Sequence, residues 1–413
     1  MRQAYPDTPL LWLDAGSFSG EGTEAGTLNT QTLLESMGRL GYAGANLGER
    51  DLVFGIDRLQ AWAKQSSVPL ISSNLVFQDS GEPAFAPFVV KTVPLSGRGS
   101  KGRIRVGILG LARMNPALSS KTPDGRRIVV ADPVATARAS VPVLRKKCDF
   151  LIALVTLEPN QAKELASQVQ GIDLILGGFG AVEISEEIKA AAPGPAAVPA
   201  RLIYVGNQGK KVGEVRVFLS EAGALAKLDS SVIPLGVQVP DDPAIMDIVE
   251  KNRVAINEIH KKEASLVDGA KVRAMWQGEA FMGSESCKSC HAEAYQVWEK
   301  TSHAHAFRIL EERHQDYNPD CVGCHTTGFR RPTGFVNAKS TPDLMNVQCE
   351  SCHGPGRGHP ETNGSGYGAV AQGFCVTCHT PENSPDFEAS AYRLKIQHWK
   401  ETSGEGASAA SSR

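Results

Sequence analysis

Cys287-Lys-Ser-Cys290-His291, Cys321-Val-Gly-Cys324-His325, Cys349-Glu-Ser-Cys352-His353 and Cys375-Val-Thr-Cys378-His379 repeat one five-residue pattern four times. They take eight of the nine cysteines and leave only Cys148 outside. The spacing has a chemical reason. Two thiols three positions apart can each bond one of the two vinyl groups of a porphyrin, and the imidazole that follows then faces the iron from one side. The motifs start 34, 28 and 26 residues apart, so each porphyrin has one short helix and a loop of protein around it. Four porphyrins so placed must supply much of the hydrophobic core themselves. Structural zinc is the competing reading, since paired Cys-x-x-Cys also binds Zn²⁺, and disulfides are a third. Zinc does not require a histidine directly after the second cysteine, yet all four pairs have one.

Four irons with one imidazole each need partners on the opposite face. Six histidines lie outside the motifs: His260, His303, His305, His314, His359 and His398. His303 and His305 fall in a helical stretch, Tyr295 to Leu310. Two residues apart on a helix point to nearly opposite faces, so the two cannot serve the same haem face. One ligates while the other faces solvent or a different haem. His359 follows the third motif after a Gly/Pro turn, and His398 stands beside Trp399. Methionine is the other candidate ligand type, but Met345 is the only one after Met282, which favours histidine. The expected ligands are therefore His291, His325, His353 and His379 on the proximal side, with His303, His359, His398, His305 and His314 as distal candidates.

The stretch Cys287 to Leu310, with Trp298, Thr301 and His303-Ala304-His305-Ala306, resembles the tetrahaem cytochrome c-554 type. So do Cys321 to Gly328 and Val347-Gln348-Cys349-Glu350-Ser351-Cys352-His353-Gly354-Pro355-Gly356. The resemblance covers about residues 281 to 398 and extends well beyond the haem motifs. It implies a mainly α-helical, haem-packed multihaem cytochrome c domain that shuttles electrons. Four covalently bound haem c groups, most of them bis-histidine and one open, are part of that implication. By motif position His303 is the distal ligand it carries over first; the loops around His359 and His398 differ in length.

The first 240 residues have another character. Short apolar runs recur at Leu10 to Leu13, Ile104 to Leu111, Phe150 to Val155, Leu174 to Leu176, Leu202 to Val205 and Val212 to Leu219. Many end in Gly or Asp, as buried strands do where a loop begins. Helical patterns at Thr32 to Leu40, Ile56 to Lys64 and Gln161 to Val169 alternate with them, which predicts an α/β layered sandwich. Ala190 to Ala200 reads as a surface loop.

This region resembles the 5′-nucleotidase and UDP-sugar hydrolase branch of the calcineurin-like metallophosphatases. The matches are Leu13-Asp14-Ala15-Gly16-Ser17, Gly41-Tyr42 to Gly55, Val68 to Asn74, Cys148-Asp149 to Leu157, Gly171 to Gly178 and Gly206 to Gly213. That family holds two metal ions with Asp, Asn and His at strand ends. Here the expected Asp is Ser17, the Asn-His pair is Glu49-Arg50, one His is Thr156, and two more fall on Phe179 and Ala181. Asn74 matches, but one neutral ligand cannot hold two metals, and Asp14, Glu49 and Asp51 do not by themselves make that site. The expectation is a degenerate metallophosphatase-like domain, kept as a scaffold or docking surface, with no catalytic divalent metal. Cys148 opens a buried strand and reads as a core thiol. Arg145-Lys146-Lys147 reads as a solvated turn, with contact to an acidic redox partner as the alternative.

The 413 residues accommodate two domains, and the formal net charge of −2 gives no reason to expect a nucleic acid partner. No apolar run reaches the roughly 18 residues of a membrane span. The expected organisation is 1–240 metallophosphatase-like, 241–280 a helical linker, 281–398 the tetrahaem domain and 399–413 a disordered tail. The expected function is electron transfer in the periplasm or outside the cell, with redox proteins or other multihaem cytochromes as partners. The alternatives are a haem-based reductase of a small nitrogen oxide and a metal-dependent nucleotidase with an appended cytochrome. Thioether haem attachment takes place outside the cytoplasm, yet the residues after Met1 hold no export signal. The metallophosphatase resemblance also enters only at that family's second core strand. Both features lead to the expectation of a start upstream of Met1.

Overall fold

The computed structural model describes residues 8–95, 102–114, 120–122, 124–178, 183–188, 200–206, 209–220, 225–236, 238–359, 370, 373–381 and 383–398. Phe179, Ala181, the loop 190–199 and the tail 401–413 lie outside the described residues. The chain divides into two compact units, Met1–Val249 and Glu250–Arg413.

In the first unit, strict alternation of side chains builds a four-layer sandwich. Along the strand Phe150–Val155 every residue is buried, as a strand covered on both faces demands. Phe150, Ile152 and Leu154 point to one face, where Ile108, Ala43 and Ile71 join them. Leu151, Ala153 and Val155 point to the other, against Val141 and Leu144 of the helix Pro133–Arg145 and Leu165 of the helix Pro159–Gln168. This strand lies in a six-stranded sheet. Its spatial order is Glu183–Ile188, Ala200–Val205, Leu174–Gly177, Phe150–Val155, Arg103–Leu111, Phe88–Pro94. The four inner strands are parallel and each edge strand is antiparallel to its neighbour.

The facing sheet has three parallel strands, Trp12–Asp14, Tyr42–Asn46 and Leu70–Ile71. Its outer side is covered by the helices Glu24–Leu40 and Ile56–Ser66 through Leu34, Met37, Leu59 and Ala63. The first of these begins two turns earlier than its apolar periodicity indicates. Thr23 accepts the Gly26 amide at 3.0 Å, which caps a polar first turn worth about 1 kcal/mol. Gly41, at φ +75°, closes the other end in the left-handed region that favours glycine.

The second unit begins within the long helix Pro243–Ser265, includes the helix Gly269–Met275 and continues in short pieces. They are Glu285–Lys288, Ala292–Trp298, Arg308–Glu312, Pro319–His325, Cys349–His353 and Ala389–Lys395, with 3₁₀ turns at Ser302–His305, Pro342–Leu344 and Phe374–Thr377. The continuous helical stretch expected from Tyr295 to Leu310 is not present. Thr301 is extended at φ −85° and ψ 158°, and its hydroxyl donates back to Trp298 O at 2.7 Å. That bond competes with helix continuation and turns the chain. Among the described residues, Phe281, Phe307, Leu310, Val322, Phe335 and Leu344 form a small buried apolar cluster here. Among the described residues, no helix of the chain is long and apolar enough to cross a membrane.

Candidate functional site

Each motif histidine ends or follows a short helical turn, which places the two cysteines and the imidazole on one side of it. Pro319–His325 is capped by Asn318, whose side chain accepts the Asp320 amide at 3.0 Å. Cys349–His353 ends at Gly354, at φ +88°. Long-range hydrogen bonds then gather the motifs. Trp298 Nε1 donates to Val347 O at 2.9 Å, the Val347 amide donates to His303 O at 3.1 Å, and the Phe307 amide donates to Asn346 Oδ1 at 2.9 Å. The Cys287 thiol of the first motif lies beside Cys349 of the third, within electrostatic reach. The Cys324 thiol of the second lies likewise beside Cys378 of the fourth. Cys352 lies within electrostatic reach of Cys375 and Cys378, which brings the third and fourth motifs together.

The histidines fall into pairs. His291 faces His359 with ring centroids 6.0 Å apart, His303 faces His379 at 6.1 Å, and His353 faces His398 at 6.0 Å. Each pair joins one motif histidine to one histidine outside the motifs. An iron–imidazole bond is about 2 Å and the bonded nitrogen lies about 1 Å from its ring centroid, so two imidazoles on opposite faces of one iron have centroids about 6 Å apart. The observed separations fit haem c, the group the Cys-x-x-Cys-His pattern calls for. A cavity lined by Cys287, His291, Trp298, Cys349, His353 and His398 lies between the first and third motifs. Burial first, and then the neighbouring His379, hold the His303 imidazole below its ordinary pKa. Burial does the same to His379. Both shifts favour the neutral ring, the form that ligates a metal.

Second contacts orient these rings. His379 Nδ1 lies 3.1 Å from Ser384 Oγ, and the ring stacks on Phe387 at 4.5 Å. His398 Nδ1 is 2.9 Å from Ile396 O. His325 Nδ1 is 2.5 Å from Ala306 O. With Nδ1 engaged, Nε2 is the nitrogen left for iron. No histidine ring faces His325 among the described residues. His305 is exposed on the 3₁₀ turn whose His303 is turned inward. His314 sits at φ +51° with Nε2 3.9 Å from Glu250, and His260 Nδ1 is 3.1 Å from Glu263. Neither is brought to a second histidine. The positioning contacts of Asn346 and Ser384 carried no signal in sequence, because neither lies inside a motif; Trp298 was marked by the resemblance, but its bond to Val347 O was not.

In the first unit, the residues standing where the resemblance places metal ligands also converge, but differently. A Cβ on Gly16 would lie 2.9 Å from Thr156 Cγ2, and one on Gly48 would meet the same methyl at 2.9 Å and Ser17 Oγ at 2.0 Å. The ends of three strands are thus in contact around Thr156. Arg113 bridges Glu49 at 2.8 Å and Glu158 at 3.1 Å, and its amide donates to Thr156 Oγ1 at 3.2 Å. Asp51, fully buried, accepts the amides of Ser17, Ser19 and Gly48 at 2.7–2.9 Å. Burial raises its pKa against those three hydrogen bonds. Asp14 accepts the Gly16 amide at 2.8 Å, and burial, with Asp51 adding to it, pushes its pKa up to about 6. Asn74 spends both ends of its amide on backbone, with Ala112 and Ala131 as partners. No histidine occurs before His260. Among the described residues no group of three His, Cys, Asp or Glu side chains is arranged to hold a metal ion. Chemically this is a neutralised carboxylate cluster tied to backbone.

These geometries agree with what the chain is similar to. Residues 286–354 match the family "Cytochrome c554 and c-prime". The chain is 39% identical over 92 residues to cytochrome c-554 of Nitrosomonas europaea, covering 19% of this chain and 39% of that protein. It is 26% identical over 171 residues to a 2′,3′-cyclic-nucleotide 2′-phosphodiesterase/3′-nucleotidase of Yersinia enterocolitica, covering 39% of this chain and 26% of that protein. The calcineurin-like phosphoesterase YfkN of Bacillus subtilis shares the fold, with a TM-score of 0.51 at 20% identity over 62% of this chain and 85% of that one. The chain spans about a quarter to two fifths of the length of these two curated relatives. It carries a cytochrome c554 domain at its C-terminal end, preceded by an α/β region homologous to the nucleotidase type of calcineurin-like phosphoesterase.

Proposed function

We propose that this protein is a tetrahaem electron carrier. The observation that carries the reading is the pairing of His291 with His359, His379 with His303 and His353 with His398, each at 6.0–6.1 Å. In this reading Cys287, Cys290, Cys321, Cys324, Cys349, Cys352, Cys375 and Cys378 anchor the porphyrins, and the three pairs are the axial ligands of three of them. Haem c supplies a one-electron Fe(III)/Fe(II) couple. The chain's own residues hold both axial imidazoles in place in either oxidation state, which keeps the structural change on electron transfer small. The cysteine contacts support a chain of neighbours in the order first, third, fourth, second motif, with His325 at one end.

The division of labour follows the sequence. Residues 281–398 carry the redox chemistry, and residues 1–240 serve as a scaffold or docking surface for redox partners without a catalytic divalent metal. Thioether attachment puts the protein in the periplasm or outside the cell. Intact mass after acid-acetone extraction tests the reading. Four haem additions that survive extraction are expected, and fewer, or haem that leaves with the solvent, overturn it.

A second reading rests on His325, which no second histidine faces among the described residues. An iron held there has an open face, and a small nitrogen oxide could be reduced on it. A high-spin signal that shifts on adding nitrite or nitric oxide, with turnover under a low-potential donor, would favour this reading over simple transfer.

A further inference from the structure

We infer that Glu350 is a fixed buried anion that lowers the reduction potentials of the haem sites at the first and third motifs and so makes them the electron-entry end of the chain. The inference rests on the electron-carrier reading above.

Glu350 lies inside the third motif, between Cys349 and Cys352, and is 1% exposed. Its partners are backbone amides. Oε1 accepts Met282 at 2.9 Å and Gly356 at 2.7 Å, and Oε2 accepts Met282 at 2.9 Å and Gly283 at 2.8 Å. Both oxygens therefore take donors only, which suits a carboxylate and leaves no acceptor for an acid proton. Among the described residues no Lys, Arg or His side chain forms an ion pair with it; Arg273, which donates to Phe281 O at 3.1 Å, is paired with Asp343 at 2.6 Å. Its neighbour Gln348, also buried, is neutral and is spent on Ser284, Asp343 and Met345.

Burying a carboxylate without a counter-charge is expensive, and three backbone amides stabilise it without cancelling its charge. Such a charge acts on whatever lies beside it. Its closeness to the first motif as well as its own follows from its bonds to the Met282 and Gly283 amides, a turn before Cys287. The segment 282–283 that feeds the first motif is moreover the segment it binds. A negative charge favours Fe(III) over Fe(II), and net charge and burial are among the levers that set haem potentials. At a distance near 10 Å and an effective dielectric near 20, one charge changes a one-electron equilibrium about tenfold, or about 59 mV. Among the described residues no other acidic side chain of this unit is buried. Beside Cys321 of the second motif stands Asp320, but that carboxylate is exposed to solvent and Arg253 acts against it, so no buried anion marks the second or fourth motif and electrons delivered to the first and third run downhill towards them. Each step moves one electron from an Fe(II) site to an Fe(III) site, supplied by an external donor and removed by an external acceptor.

The test is a redox titration of the haem-loaded protein followed by NMR, with each haem's signals assigned through residues of its own motif. In the wild type the two lowest potentials belong to the first and third motifs; either of the other two lying below both overturns the proposal. In Glu350→Gln those two potentials rise by about tenfold in equilibrium constant while the other two stay. In Glu350→Asp, which keeps the charge, all four remain near wild type. A uniform shift of all four, or none with full haem loading, overturns the proposal and leaves the carrier reading standing. A chain without covalent haem defeats both. If Glu350→Gln does not load haem, the wild-type order alone decides.

Discussion

At the scale of single residues, the histidine pairs make the sharpest distinctions. His303 is turned inward to His379 at 6.1 Å while His305, two positions on, is exposed. His303→Ala should convert one low-spin haem to high spin, and His359→Ala and His398→Ala should each do the same. His305→Ala and His314→Ala should leave the spectrum unchanged. Optical and spin-resonance spectra of the five variants check this, and a low-spin haem lost in His305→Ala would put the wrong ring on the iron. Asp14 allows a second prediction. Its pKa is about 6 in the folded chain against 3.8 ordinarily. A folded state that holds the proton more tightly is favoured below the unfolded pKa and loses that advantage as pH rises through 6. Asp14→Asn, which mimics the protonated form, should match wild type near pH 4. It should be more stable by about 2 kcal/mol above pH 7. Calorimetry of the first unit's transition across that range tests it; a variant less stable than wild type at pH 8 shows the charge to be needed.

At the scale of elements, the two units depend on different sources of core. The first has strands whose alternate residues feed two separate clusters, as Leu151 and Ile152 do on opposite faces. Its helices carry their own caps and cover the sheets from outside. Among the described residues, the second has helices of seven residues or fewer from Glu285 onward and a small apolar cluster around Phe281, Phe307 and Leu344. Isolated helices that short are not stable in water, and so small a cluster does not supply the burial that would hold them. Expressed without haem attachment, the second unit should therefore be protease-sensitive and lack the sharp amide protection of a folded domain. The first should keep its resistance. Equal protection of residues 285–398 with and without haem would contradict this. The helical stretch from Tyr295 to Leu310 shows why elements here were hard to read. Its composition suits a helix throughout, but the Thr301 hydroxyl takes Trp298 O and the chain turns so that His303 reaches His379.

At the scale of the whole molecule, a cytochrome c554-type region and a phosphoesterase-type fold share one chain. Arg113 sits between Glu49 and Glu158, and the Thr156 methyl fills the space beside Gly16 and Gly48. Nucleoside monophosphates or cyclic nucleotides with added Mn²⁺ or Zn²⁺ should show no hydrolysis above background. Release of phosphate that a chelator abolishes would restore the nucleotidase reading. The electron-carrier reading requires in turn that dithionite-reduced protein be reoxidised by a soluble one-electron acceptor with all four haems participating.

Much of this was legible from the chain alone. The four Cys-x-x-Cys-His patterns are local, since two thiols and an imidazole within five residues suit a porphyrin's anchor wherever the segment goes. The layered α/β region was equally visible, because a strand covered on both faces must be a continuous apolar run and Phe150 to Val155 is one. That Ser17, Glu49 and Thr156 stand where the resemblance places metal ligands was readable by position. So were His303, His359 and His398 as distal candidates, but not which motif histidine each one faces. His291 and His359 are far apart in sequence, and nothing local to either shows which ring it will face. Nor does composition show that Glu350 is 1% exposed and bound only to amides, or that Arg113 neutralises the carboxylates around it. Attachment is decided by covalent spacing, which the sequence by itself determines. Axial pairing, buried charge and the filling of a cleft are decided by which distant segments pack together, and only the tertiary structure settles that.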